Sequence, residues 1–177
     1  MKTISCKGDA KVRWATILAA CLFVFAGWPG VGHAVEKSPL ENVLKAEKVV
    51  TGSDGKESIQ AMKKIAPGEV IQYRIDQKNV GKDELTKITA IGPIPKGTQY
   101  VGGSAKTATP SVFQVSIDNG NTWSAEPVTR VVKNAAGENE TKTVPPSEYT
   151  QIRWEAKPPM TKGEKRSFIY RVRVNKP

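Results

Sequence analysis

The chain of 177 residues is nearly without thiols and imidazoles, with two cysteines and one histidine. Cys6, Cys21 and His33 all fall in the first 34 residues, so residues 35–177 contain neither type. That stretch therefore has no Ser-His-Asp or Cys-His nucleophile system, no Cys/His zinc site and no thiol redox chemistry. Nor can a disulfide staple it, so its stability must come from packing. Catalysis by paired carboxylates or by Ser-Lys remains chemically open, but no carboxylate spacing marks such a pair. Aromatic residues are sparse, at 7%. Long apolar runs are missing except for one, W-A-T-I-L-A-A-C-L-F-V-F-A-G-W over residues 14–28.

That run sits in a three-part pattern. Lys2, Lys7, Lys11 and Arg13 precede it, Pro29-Gly30 breaks it, and Gly32 and Ala34 put small residues at the −3 and −1 positions of a cleavage site. Together they read as a secretory signal peptide over residues 1–34. The run is short of the ~20 residues that span a bilayer as a helix. A second reading is open: Leu18-Ala19-Ala20-Cys21 resembles a lipobox, which would make Cys21 a lipidated N-terminus. The apolar Leu22-Phe23-Val24-Phe25 that follows differs from the polar tether of a lipoprotein. Export implies a periplasmic, secreted or surface location. Removal of residues 1–34 takes away four basic residues and Asp9, leaving 23 Lys+Arg against 16 Asp+Glu, a charge of +7.

The remaining 143 residues are enough for one domain with its own core. Residues 35–42 read as a flexible lead-in and 43–177 as the domain. In residues 67–79, P-G-E-V-I-Q-Y-R-I-D-Q-K-N, a Pro-Gly turn feeds a strand in which Ile71, Tyr73 and Ile75 alternate with polar residues. The same grammar closes the chain, where Gly163-Glu164 leads to Phe168, Tyr170, Val172 and Val174 alternating with Ile169, Arg171 and Arg173. Between them come short alternating stretches broken by Gly, Pro and Asn. Residues 92–97 and 134–141 read as turns, and residues 149–155, with Ile152 and Trp154, as a core strand. No segment has convincing helical periodicity. The pattern predicts an all-β, antiparallel β-sandwich.

Two constellations stand out. Residues 116–123, S-I-D-N-G-N-T-W, fit the Asp-box hairpin of sialidase-type propellers. One copy cannot build a propeller, so the reading is local: Asp118 and Thr122 bond across a turn that needs Gly120, and Trp123 covers it. The spacing is not that of a calcium loop, and no metal or cofactor is expected. The second constellation is basic: Arg153, Arg166, Arg171 and Arg173, with Lys157 and Lys165, cluster toward the C-terminal part of the sequence. If Tyr170 and Val172 face the core, Arg171 and Arg173 share the outer face, and an adjacent strand could add Arg153. Such a face could hold anionic lipid head groups, an anionic polysaccharide or a cell-envelope protein. It could equally be a solvated face that blocks edge pairing. Nucleic acid is not expected, because no aromatics interleave with the charges.

Residues 67–81 (P-G-E-V-I-Q-Y-R-I…K-N-V-G), 94–104 (I-P-K-G-T-Q-Y-V-G-G-S) and the closing Ile152-Arg153-Trp154, Gly163-Glu164 and 168–174 together resemble the domain-of-unknown-function eleven family. That family comprises exported bacterial and archaeal surface repeats. The resemblance implies an immunoglobulin-like sandwich and a non-catalytic, structural or interaction role at the cell envelope, with no enzyme activity. The single domain and the basic charge depart from many members.

Overall fold

A computed structural model describes residues 38–176; the signal-peptide and Cys21 readings lie outside the described residues. The described residues lie in one compact unit, with the strands and both core clusters within it. Strands β1 (Leu40–Thr51), β2 (Glu57–Ala61), β3 (Val70–Asn79), β4 (Thr89–Pro93), β5 (Thr98–Tyr100) and β6 (Lys106–Thr107) come first. After them come β7 (Ser111–Ser116), β8 (Thr129–Lys133), β9 (Asn139–Thr143), a 3-10 turn at Pro146–Glu148, β10 (Gln151–Ala156) and β11 (Lys165–Val174). Among the described residues no helix is long and apolar enough to cross a membrane.

The larger sheet runs β2-β1-β3-β11-β5, with β6 also on β11, and the smaller runs β4-β10-β7; a separate ribbon joins β8 to β9. Every named pairing is antiparallel. The two alternating stretches of sequence are direct neighbours, with Tyr73 opposite Tyr170 and Ile71 opposite Val172. This is the expected all-β, antiparallel sandwich in a single domain, and its last strand lies between β3 and β5. The lead-in is shorter than the sequence suggests. Leu40 already pairs with Asn79, so residues 40–42 belong to the sheet, and Pro39 O accepts from Val80 N–H.

Period-2 alternation puts Ile71, Ile75, Phe168, Tyr170 and Val172 on the inner side, where they meet Val115, Ile152 and Trp154 of the smaller sheet. The ring contacts form a chain: Tyr73 stacks on Tyr170 at 5.1 Å, Tyr170 meets Trp154 at 6.1 Å, and Trp154 meets Phe168 at 5.4 Å and Phe113 at 5.5 Å. These separations suit tilted and offset rings, which add about 0.5–1.5 kcal/mol per pair beyond simple burial. Gly92 makes room for this packing. A Cβ there would sit 2.6 Å from Tyr170 Cε1 and 3.1 Å from Ile152 Cγ1.

The free edge of β4 is guarded. Pro93 has no N–H to offer a further strand, its carbonyl accepts from the Tyr170 hydroxyl, and the Thr89 carbonyl accepts from Gln77 Nε2 at 3.1 Å. Arg166, read from sequence as part of the basic cluster, is buried instead. Its Nε donates to Glu164 Oε1 at 2.6 Å, and its Nη atoms donate to the carbonyls of Pro158 and Pro159. It closes the turn before β11.

Candidate functional site on the outer face of the smaller sheet

The 116–123 segment folds into a self-satisfied hairpin. Ser116 Oγ and Thr122 N–H donate to Asp118 Oδ1 at 2.7 and 2.9 Å, and Thr122 Oγ1 donates to Asp118 Oδ2 at 2.7 Å. The Thr122 hydroxyl first, then its N–H and the Ser116 hydroxyl, draw the Asp118 carboxyl down to about 2. Ser116 Oγ also accepts from Gly120 N–H at 2.8 Å. Gly120 has φ +89, a left-handed conformation that favours glycine, and a Cβ there would also displace the mobile amide of Gln151, whose Oε1 would lie 2.7 Å away. Both oxygens of Asp118 are engaged within the turn, which leaves the carboxylate little to give a metal or a substrate.

Trp123 ends this hairpin against the sheet. The Arg153 guanidinium lies over its ring, 4.5 Å from the centroid, a cation–π geometry. Arg153 Nε donates to Gln114 Oε1 at 2.9 Å, which fixes the plane of the guanidinium. The register explains the meeting: Ile91, Arg153 and Gln114 lie opposite one another across β4, β10 and β7, and Ile91 is 51% exposed. The result is an open platform of Ile91, Arg153, Gln114 and Trp123. Among the described residues Arg153 has no carboxylate partner. Its terminal nitrogens are free for a planar anionic group, which a guanidinium holds in fork geometry.

The expected basic face is divided. Arg153 belongs to the smaller sheet, whereas Arg171 and Arg173 lie on β11 of the larger one, so an adjacent strand does not unite them. Arg171 is already engaged, with Nη1 2.8 Å from Glu57 Oε2 and Nε donating to Gln72 Oε1 at 3.2 Å. Arg173 donates to the Gly68 carbonyl at 3.1 Å, at one end of the sandwich. Sequence reasoning singled out both Trp123 and Arg153 but did not join them, and it missed Gln114 and Ile91. The period-2 pattern of residues 112–117 puts Gln114 on the polar side, and only the pairing of β7 with β10 places it beside Arg153.

The other carboxylates with shifted titration are dispersed. Glu69 is lowered by Lys48 first, Glu164 by Arg166 first, Asp76 is lowered because its partial burial is outweighed by hydrogen bonds from Ser167 and Lys45, and Glu126 is raised by partial burial. Comparison with protein-family descriptions, with curated proteins and with solved structures gives no match for this chain.

Proposed function

We propose that the chain is a non-catalytic, exported module of the cell envelope, structural or interacting in role, that presents the outer face of its smaller sheet to a partner. The observation that carries this is Arg153, held over Trp123 by Gln114 with its terminal nitrogens unoccupied. Export rests on the three-part pattern of residues 1–34. The internal saturation of Asp118 supports binding over hydrolysis. The resemblance of residues 67–81, 94–104, 152–154, 163–164 and 168–174 to the domain-of-unknown-function eleven family supports a surface-module role.

The partner chemistry that fits is an anionic envelope ligand, such as a uronic-acid polysaccharide, whose carboxylate meets Arg153 while a sugar face lies along the platform. Residues 36–177, passed over immobilised polygalacturonate at low salt, are retained and elute as salt rises. Arg153→Glu abolishes retention, whereas Arg171→Glu, which acts on the other sheet, leaves most of it. No retention of the parent protein at low salt overturns the ligand reading. Fractionation of cells that express the full chain tests export, and a product that stays cytoplasmic with residues 1–34 attached overturns it.

A further inference from the structure

The end of the sandwich where β11 finishes is built differently from the Arg153 platform. Loop 62–69 joins β2 to β3, and its first four residues are Met62-Lys63-Lys64-Ile65. Met62 and Ile65 are 41% and 38% exposed, apolar side chains facing water with a lysine pair between them. The loop is anchored at its far end. Ala66 N–H donates to Glu69 Oε2 at 2.8 Å, Gly68 N–H donates to Val174 O at 2.8 Å, and Val174 N–H donates to Glu69 O at 2.9 Å.

Further cations converge on the same end. Arg173 donates to Gly68 O. The Lys176 side chain runs 3.1 Å from where a Gly68 Cβ would stand. The turn that carries Lys96 is tied in through Asn175 N–H to Gly97 O at 2.9 Å. Lys63 and Lys64 line one shallow concavity with Lys48 and Gln60.

The carboxylates packed here are already matched. Glu69 holds Lys48 at 2.6 Å, Glu57 holds Arg171 at 2.8 Å, and Asp54 faces Lys56 at 3.8 Å. Among the described residues Lys63, Lys64, Lys96, Arg173 and Lys176 face no carboxylate within ion-pair distance. This end of the molecule and the loop that leads into it therefore combine five cations that face no carboxylate among the described residues with two partly exposed apolar side chains.

We infer that this end is a membrane-docking surface, which sets loop 62–65 on a bilayer that contains anionic phospholipid. Lysines at an anionic bilayer stay at headgroup level while their apolar neighbours enter the acyl boundary. A soluble polyanion would use the cations but would gain nothing from Met62 and Ile65, so the apolar pair favours lipid. The surface shares no residue with the Arg153 platform, and the inference does not depend on the ligand proposed there.

The test uses residues 36–177, which carry the complete core and lack the apolar run of residues 14–28. The protein co-sediments with vesicles of phosphatidylcholine and phosphatidylglycerol in a two-to-one ratio, and much less with phosphatidylcholine alone. Lys63→Glu with Lys64→Glu weakens partitioning by at least about tenfold. Met62→Ser with Ile65→Ser weakens it by about tenfold as well, while leaving retention on heparin unchanged. Arg153→Glu leaves vesicle binding intact. All variants change exposed loop or surface residues, and unchanged melting temperatures confirm their folding. Failure of the parent protein to bind the anionic vesicles at low salt overturns the inference. So does a Met62→Ser, Ile65→Ser variant that binds them as tightly as the parent, which would make the end a site for soluble polyanions.

Discussion

The hydroxyl of Tyr170, on the interior strand β11 of the larger sheet, donates to the carbonyl of Pro93 at the free edge of the smaller one, 2.7 Å away. Burial, with Tyr73 as a smaller influence, pushes this phenol far above its ordinary titration range, so it remains a donor. One bond thus joins the two layers and satisfies an edge carbonyl that no neighbouring strand reaches. Tyr170→Phe leaves that carbonyl without its partner while keeping the ring. We expect a loss of about 1–3 kcal/mol, read as a lower denaturant midpoint at unchanged m-value. A loss below about 0.5 kcal/mol would mean that water replaces the hydroxyl at no cost.

The Asp118 turn makes an acid-range prediction. Its folded carboxyl titrates at about 2, below the ordinary carboxylate range, because Thr122 and Ser116 donate to the charged form. A depressed folded value means that its stabilising contribution is complete above the unfolded range and fades as pH falls toward about 2. Asp118→Asn therefore melts a few degrees lower than the parent at neutral pH, and the gap narrows between about pH 5 and pH 2. Thermal melts of the two proteins across that interval check it. A gap that stays constant would show that the carboxylate charge is immaterial.

Glu57 and Arg171 pair at 2.8 Å although β1 and β3 lie between their strands. The β1–β2 ribbon must bend over the outer face for them to meet, and the burial of Val49 on that side fits the bend. Both side chains keep contact with water, so the pair is weak, about 0.2–1 kcal/mol in a double-mutant cycle. Glu57→Arg with Arg171→Glu recovers most of what either change loses. Coupling indistinguishable from zero would mean that the ribbon is free of the sheet in solution.

Alternation in residues 70–79 and 165–174 made the two central strands and their core residues readable from sequence, and Trp154 was readable as core for the same reason. The hairpin at 116–123 was readable because its hydrogen bonds are local. Pairing between distant strands leaves no mark in period-2 patterns, so the separation of Arg153 from Arg171 and Arg173 was hidden. Strand β9, N-E-T-K-T, is exposed throughout; with no buried side to mark it, it looked like loop. Gly92 and Pro93 looked like a turn and instead end β4, where glycine admits the Tyr170 ring and proline suits an unpaired edge. Arg166 resembled its neighbours in sequence, and only the carbonyls of Pro158 and Pro159 give it a buried, structural place.

The two tryptophans of residues 36–177 stand in contrasting surroundings. Trp154 is enclosed by Phe113, Phe168 and Tyr170, while Trp123 lies at the surface beneath the Arg153 guanidinium. Their fluorescence should therefore separate by colour and by access. Trp154 emits to the blue and is shielded from iodide. Trp123 emits to the red and responds to whatever displaces the guanidinium above it. Loss of the core and arrival of a ligand at the platform thus register as two optical signals in the same sample, without an added label.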